Sequence, residues 1–325
     1  MTTGATPGDQ LSLTLPLPTA LPSSISDVST RISGLLRDIP GDHFEALQFQ
    51  NTAVREELID WMSGHLDTGA VPRDSSPAAC EVHDDFFVVR RADGDAASLL
   101  AGAILLSDLV VRRDLATHGT TVDSDPDGML LGVSGFLTGT PVPAGKDLDW
   151  RADDPAAAAN HRWLAGHQRF FVLMQLLVVA VKQLRDRPDS PAVRDFAWLC
   201  RSSAHAMRYA ADFPPELYGE VRDTMAPPAV NAGFSGLQTR DHRELVAQFR
   251  KLKQDGVMAR LGEHGAGAVR EAVREMYDAH LWVCDRFGGS TEQSLLMEQL
   301  GGKHETGLES AEKLACQRLA AFDRN

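Results

Sequence analysis

From Phe170 to Val181 the chain reads FFVLMQLLVVAV, apolar at every position but Gln175. The segment around it, Ala156 to Leu184, is apolar nearly all the way round a helix. A helix of that kind must be covered on every side. The run falls short of the ~18 uninterrupted apolar residues of a bilayer span. It therefore belongs at the centre of a helical bundle, and the rest of the chain must supply the shell.

Helical spacing recurs through the sequence. Asp42 to Trp61 places Phe44, Leu47, Val54, Leu58 and Trp61 on one face. Further helices are expected at Ala96–Arg112, Ser190–Tyr209, Pro215–Thr224, Arg240–Gln254, Gly267–Arg286, Glu292–Leu300 and Glu309–Phe322. FFVVRR, at 86–91, has strand character but stands alone, so no sheet is expected. Residues 117–154 are rich in Gly, Pro, Asp and Thr and read as a long loop region. Residues 1–25, with LPLPTALPSS, read as an extended arm. The expected fold is all-α: one helical domain over 26–325, with a less regular N-terminal third.

Acidic residues number 45 against 32 basic ones in the 325 residues, a net charge of −13. Such a surface is unsuited to general nucleic-acid or anionic-membrane binding. Cys80, Cys200, Cys284 and Cys316 are scattered, which fits a reducing cytoplasm better than a disulfide framework. MTTGATPGDQ has neither the basic nor the apolar region of a signal peptide. The common nucleotide, hydrolase, zinc and CxxCH haem-attachment motifs do not occur.

The candidate chemistry rests on histidines. His280 and Cys284, in YDAHLWVCDRF, lie one helical turn apart on an otherwise apolar stripe. Such a pair suits a flat apolar cofactor with a central metal, or it is a core His beside a core Cys. His167 opens the most apolar helix, as an acid–base group at a pocket mouth or as a cap or core residue. In GFSGLQTRDH, Arg240 and His242 follow a glycine-containing turn. Arg240 reads as a bidentate clamp for a substrate carboxylate or as a solvated Arg at a helix start; a cation there is electrostatically unfavourable, which favours a specific anionic partner. FGGSTEQS ends a helix; it is a simple stop or a segment closing on a ligand through Ser290 and Thr291.

In this order the pieces resemble the histidine-ligated haem enzymes of the tryptophan 2,3-dioxygenase fold. GHQRFFVLMQLLVVAVKQL is similar to that fold's distal-histidine helix. GFSGLQTR is similar to its substrate-carboxylate stretch, implying roles for Phe234 and Arg240. His280 sits where the fold keeps its axial histidine, and FGGST where it keeps a substrate-closing loop. The loop is shorter than the dioxygenase's, and Arg240 is followed by Asp241-His242, not by apolar residues. Both departures favour the bacterial haem-dependent tyrosine hydroxylases of antibiotic pathways, whose motif is His-(many residues)-His-x-x-x-Cys. The resemblance implies His280 as iron ligand, Cys284 as a thioether tether to haem, and His167 or His242 on the distal side. It implies a peroxide-driven ring hydroxylation of L-tyrosine or a close derivative to a catechol, in a homo-oligomer, a dimer being favoured. An O2-dependent oxygenase of an indole amino acid and a non-catalytic helical haem- or ligand-binding protein are the alternatives.

Overall fold

The computed structural model describes residues 12–38, 77–120, 132–139, 154–226, 239–289 and 306–322. Eleven α-helices occur among them: α1 (Ile25–Asp38), α2 (Ala78–Phe86), α3 (Ala96–His118), α4 (Val133–Thr138), α5 (Pro155–Asp186), α6 (Ser190–Ala210), α7 (Tyr218–Thr224), α8 (Arg240–Gln254), α9 (Val257–Arg260), α10 (Gly262–Arg286) and α11 (Gly307–Leu319). The helices expected at Asp42–Trp61 and Glu292–Leu300 lie outside the described residues. Local chemistry explains where the long helices begin. Asp154 accepts from the Ala156 amide and Asp189 from that of Ala192, each with proline in the first turn. Thr239 caps α8 by accepting from the His242 amide.

The expected central helix is α5. It packs against α3, α6, α7 and α8, while α10 packs on α6. Although α5 is long and apolar enough to cross a membrane, most of it is buried inside the protein. Phe171 to Val181 is buried throughout. Its few polar side chains bond to different neighbours about every two turns. Arg162 donates from Nε to Asp114 of α3 (2.7 Å), and Arg169 pairs with Asp108 of the same helix (2.6 Å). Gln175 donates to Pro16 O (2.9 Å) and to Asp241 of α8 (2.8 Å). Gln183 accepts from the Ile25 amide (2.8 Å) and donates to Asp195 of α6 (3.3 Å). A purely apolar helix could slide or rotate in its shell; these bonds fix its register.

Two expectations about the N-terminal third need correction. Residues Leu13–Pro16 form a strand, β1, that pairs in parallel with β2 (Val89–Ala92), with Leu13 opposite Val89. The prolines keep the segment extended, as expected, but Leu13 and Leu15 are fully buried, so it is part of the core and not a loose arm. FFVVRR does contribute a strand, and its partner lies some 75 residues upstream, beyond local pattern reading.

Gly166 marks the closest approach of α5 to α6. A Cβ there would run into Cβ and Cα of Ala210. Gly166→Ala is expected to destabilise the protein by about 1–3 kcal/mol through overpacking. Gly219→Ala, at a helical glycine facing open space, is expected to be neutral or slightly stabilising. Chemical denaturation of both checks this; equal behaviour would show that α5 and α6 have room to spare.

Candidate active site

Histidines from α2 and α10 lie within electrostatic reach of a third on α5. His167, on α5 just after the glycine contact, is an electrostatic neighbour of His83 on α2 and His280 on α10. His167 donates from Nδ1 to the Trp163 carbonyl (2.8 Å), and His83 bonds through Nδ1 to the Ala79 carbonyl (2.7 Å). An i−4 carbonyl accepts only from N–H, so these bonds fix both tautomers and leave the lone pair on Nε2. Burial, with a smaller contribution from the two neighbouring histidines, pushes the His167 pKa down to about 4. Burial also lowers that of His280. His167 and His280 are thus neutral at physiological pH, and the His167 lone pair lies on Nε2.

The His280 and Cys284 side chains share a face of α10, with Nε2 4.0 Å from Sγ. Burial pushes the Cys284 thiol up to about 11, so it stays protonated and is the weaker metal donor of the two. Beyond Cys284 the helix stops tightly. Gly288 takes φ 76°, and the Gly289 amide donates to Cys284 O (2.8 Å). A Cβ on Gly289 would strike that carbonyl. The glycine pair therefore packs flat against the turn that carries the thiol. Trp163, Phe213, Tyr218 and Phe287 form an aromatic cluster here, with Tyr218 and Phe287 stacked at 4.2 Å.

Haem fits these residues. No group of three or more His, Cys, Asp or Glu side chains among the described residues could hold a bare metal ion. A porphyrin supplies four nitrogens of its own and asks the protein for one imidazole and apolar walls. His280 is suited to be that imidazole, with Cys284 at hand for the macrocycle edge.

A second cluster sits behind His83. Arg91, on β2, forks onto Asp84 through Nε (3.0 Å) and Nη2 (2.7 Å). It also reaches Asp241 through Nη1 (3.1 Å) and Nη2 (2.6 Å). Arg240 donates from Nε to Asp84 (2.9 Å). Burial opposes the Arg91 charge, but Asp241 and Asp84 outweigh it and hold its pKa above the ordinary value.

The sequence-predicted residues therefore separate. His167 and His280 come together, with Cys284 on the same face as His280. His242 lies half-buried in the first turn of α8, next to Asp241. Arg240 meets an internal anion, donating from Nε to Asp84. Phe234, Ser290 and Thr291 lie outside the described residues. The sequence reading passed over His83, Trp163, Asp84 and Arg91. The one visible hint was Gln175, a polar residue in an apolar helix that had to find buried partners.

A family model described as SfmD 3-methyl-L-tyrosine peroxygenase matches residues 14–268. This chain belongs to that family. It is 29% identical over 260 residues to the 3-methyl-L-tyrosine peroxygenase of Streptomyces lavendulae, covering 74% of this chain and 71% of the relative. It also resembles the crystal structure of reduced SfmD, soaked with sodium hydrosulfite. The TM-score is 0.63 at 25% identity, covering 83% of this chain and 96% of that one. The family match includes His83, His167 and the Arg91 cluster and ends ahead of His280 and Cys284.

Two tests follow from this geometry. Asp241→Ala leaves Arg91 buried with half its countercharge and is expected to cost about 3–5 kcal/mol; a loss under 1 kcal/mol in denaturant titration would show the cluster to be hydrated. His167 governs a pH dependence. The unfolded chain takes up its proton near 6.5, the native chain only near 4. Stability is therefore full above 6.5, falls as the pH drops through that window and levels off below it. His167→Phe is expected to flatten the slope of stability against pH between those values; an unchanged slope would mean that His167 is not held neutral.

Proposed function

We propose that this chain is a haem-dependent peroxygenase that hydroxylates a tyrosine-type amino acid at the ring carbon next to the phenol hydroxyl, giving a catechol with hydrogen peroxide as oxidant. The family supports the reaction class. The observation that carries the reading for this chain is the neutral His280 imidazole with the Cys284 thiol 4.0 Å away, on a helix face opposite a second neutral imidazole.

When bound, the haem supplies the redox chemistry that delivers one peroxide oxygen to the ring. The chain's own residues do the rest. His280 offers its lone pair to iron. Cys284, 4.0 Å from the His280 imidazole, would be the residue to tether the macrocycle by one thioether. His167, its Nδ1–H committed to Trp163, takes up and returns a proton at Nε2. The aromatic cluster keeps water away from the reacting ring. Arg240 remains with Asp84 and positions the His83 side of the site. In this reading 3-methyl-L-tyrosine, named in the relative, and L-tyrosine are the first substrates to assay.

The test is threefold. Purified chain incubated with peroxide and either amino acid should yield a product heavier by one oxygen. His280→Ala should lose most of the Soret band. Haem should stay with wild-type protein through acid–acetone extraction and leave Cys284→Ala. A chain that cannot be loaded with haem, or product formed only with O2 and a reductant, would overturn the proposal.

A further inference from the structure

Trp163 holds a hydrogen-bond donor that the described protein leaves unsatisfied. Its side chain is only 9% exposed. Its indole Nε1 is fully buried and has no hydrogen-bond partner among the described residues. A buried donor without an acceptor costs stability, and folded proteins keep few of them. One retained beside a candidate active site points to an acceptor that arrives with a ligand.

The surroundings narrow that ligand. The Trp163 ring lies against His167, centroids 4.3 Å apart, and its backbone carbonyl holds the His167 Nδ1–H. The same residue therefore presents a donor of its own and fixes its neighbour as an acceptor at Nε2. The remaining walls are aromatic: Phe213, Tyr218 and Phe287 meet the indole at 6.0–6.4 Å with tilted or edge-on rings. A carboxylate could use the donor but not the acceptor. An ammonium could use the acceptor but not the donor. Peroxide could use both but leaves the aromatic walls without a partner. A phenol uses all three: its ring meets the walls, its oxygen accepts and its O–H donates.

We propose that Trp163 Nε1–H and His167 Nε2 together read the phenol hydroxyl, so that this aromatic cage selects phenolic over phenyl side chains. His167 then accepts the phenol's hydrogen bond at Nε2, which leaves the ring more electron-rich at the carbon to be oxygenated. The inference rests on the preceding reading that the substrate is a tyrosine-type amino acid. It adds which residues recognise the hydroxyl. The physical basis of the selectivity is that a phenyl ring would leave both polar groups buried and unpaired.

Isothermal titration calorimetry of the haem-loaded protein with 3-methyl-L-tyrosine and 3-methyl-L-phenylalanine tests this, since the two differ only in the hydroxyl. Wild type should bind the phenol at least tenfold more tightly. Trp163→Phe keeps an aromatic wall and removes the N–H; it should weaken the phenol at least fivefold, change the phenyl compound less than twofold and so collapse the preference. Retained phenyl-compound affinity is itself the control for folding. Equal loss for both ligands, or no loss for either, would show Trp163 to be only a wall. Lack of a phenol preference in the wild type would overturn the proposal without any variant. Failure of wild type to bind either compound would instead overturn the substrate reading itself, and this inference with it.

Discussion

Arg91 is buried to 6% exposure between two carboxylates, Asp84 seven positions before it and Asp241 150 positions after it. Taking these charges out of water costs several kcal/mol per ion, and only good geometry recovers it. Here the geometry is good: Arg91 forks onto both acids, Arg240 adds a second cation, and Gln175 donates to Asp241 Oδ1 alongside Arg91 Nη1. Two cations meet two buried anions, with the exposed Glu81 3.8 Å from Arg240. Five segments converge on that cluster: β1 through Pro16, α2, β2, α5 and α8. The interaction is poorly suited to adding stability but well suited to imposing one arrangement, because any slip strands a charge in a dry interior.

The site inherits that arrangement. His83 precedes Asp84 and His242 follows Asp241, so each is held within one residue of the cluster. His167 is placed by other means, the glycine contact of α5 with α6 and the polar bonds along α5. Its face toward His280 is then maintained by the packing of α10 on α6. What results is a pair of neutral imidazoles, His167 and His280, beside aromatic walls. Such a pair receives an apolar cofactor more readily than a charged one.

The legibility of all this in the sequence was uneven, for physical reasons. The long helices declared themselves because a 3.6-residue period and the Asp-Pro and Thr caps are local properties: α8 begins and ends where the pattern places it, and α5 and α6 differ by a residue or two. His280 and Cys284 were visible because their relation is one helical turn. The β1–β2 pair was not, since a parallel pairing depends on a partner far away and a four-residue strand has little pattern of its own. His83 was missed for the same reason: nothing in CEVHDDFF says that its imidazole faces one from α5. For Arg240, the sequence could not say that Asp84, 156 positions earlier, would lie beside it.

The parallel strand pair also sets the order of events as the chain folds. Leu13 must find Val89, and Pro16 must then meet Gln175, 159 residues on. Each such closure forfeits chain entropy before its contacts can repay it. The helices can form early, from local contacts, but Asp241 joins the cluster only when β1, β2 and α5 are already in place. The buried ion network, which needs all of these closures, is thus expected to complete late in folding. A cofactor meeting this protein on the ribosome would find helices before it found a site.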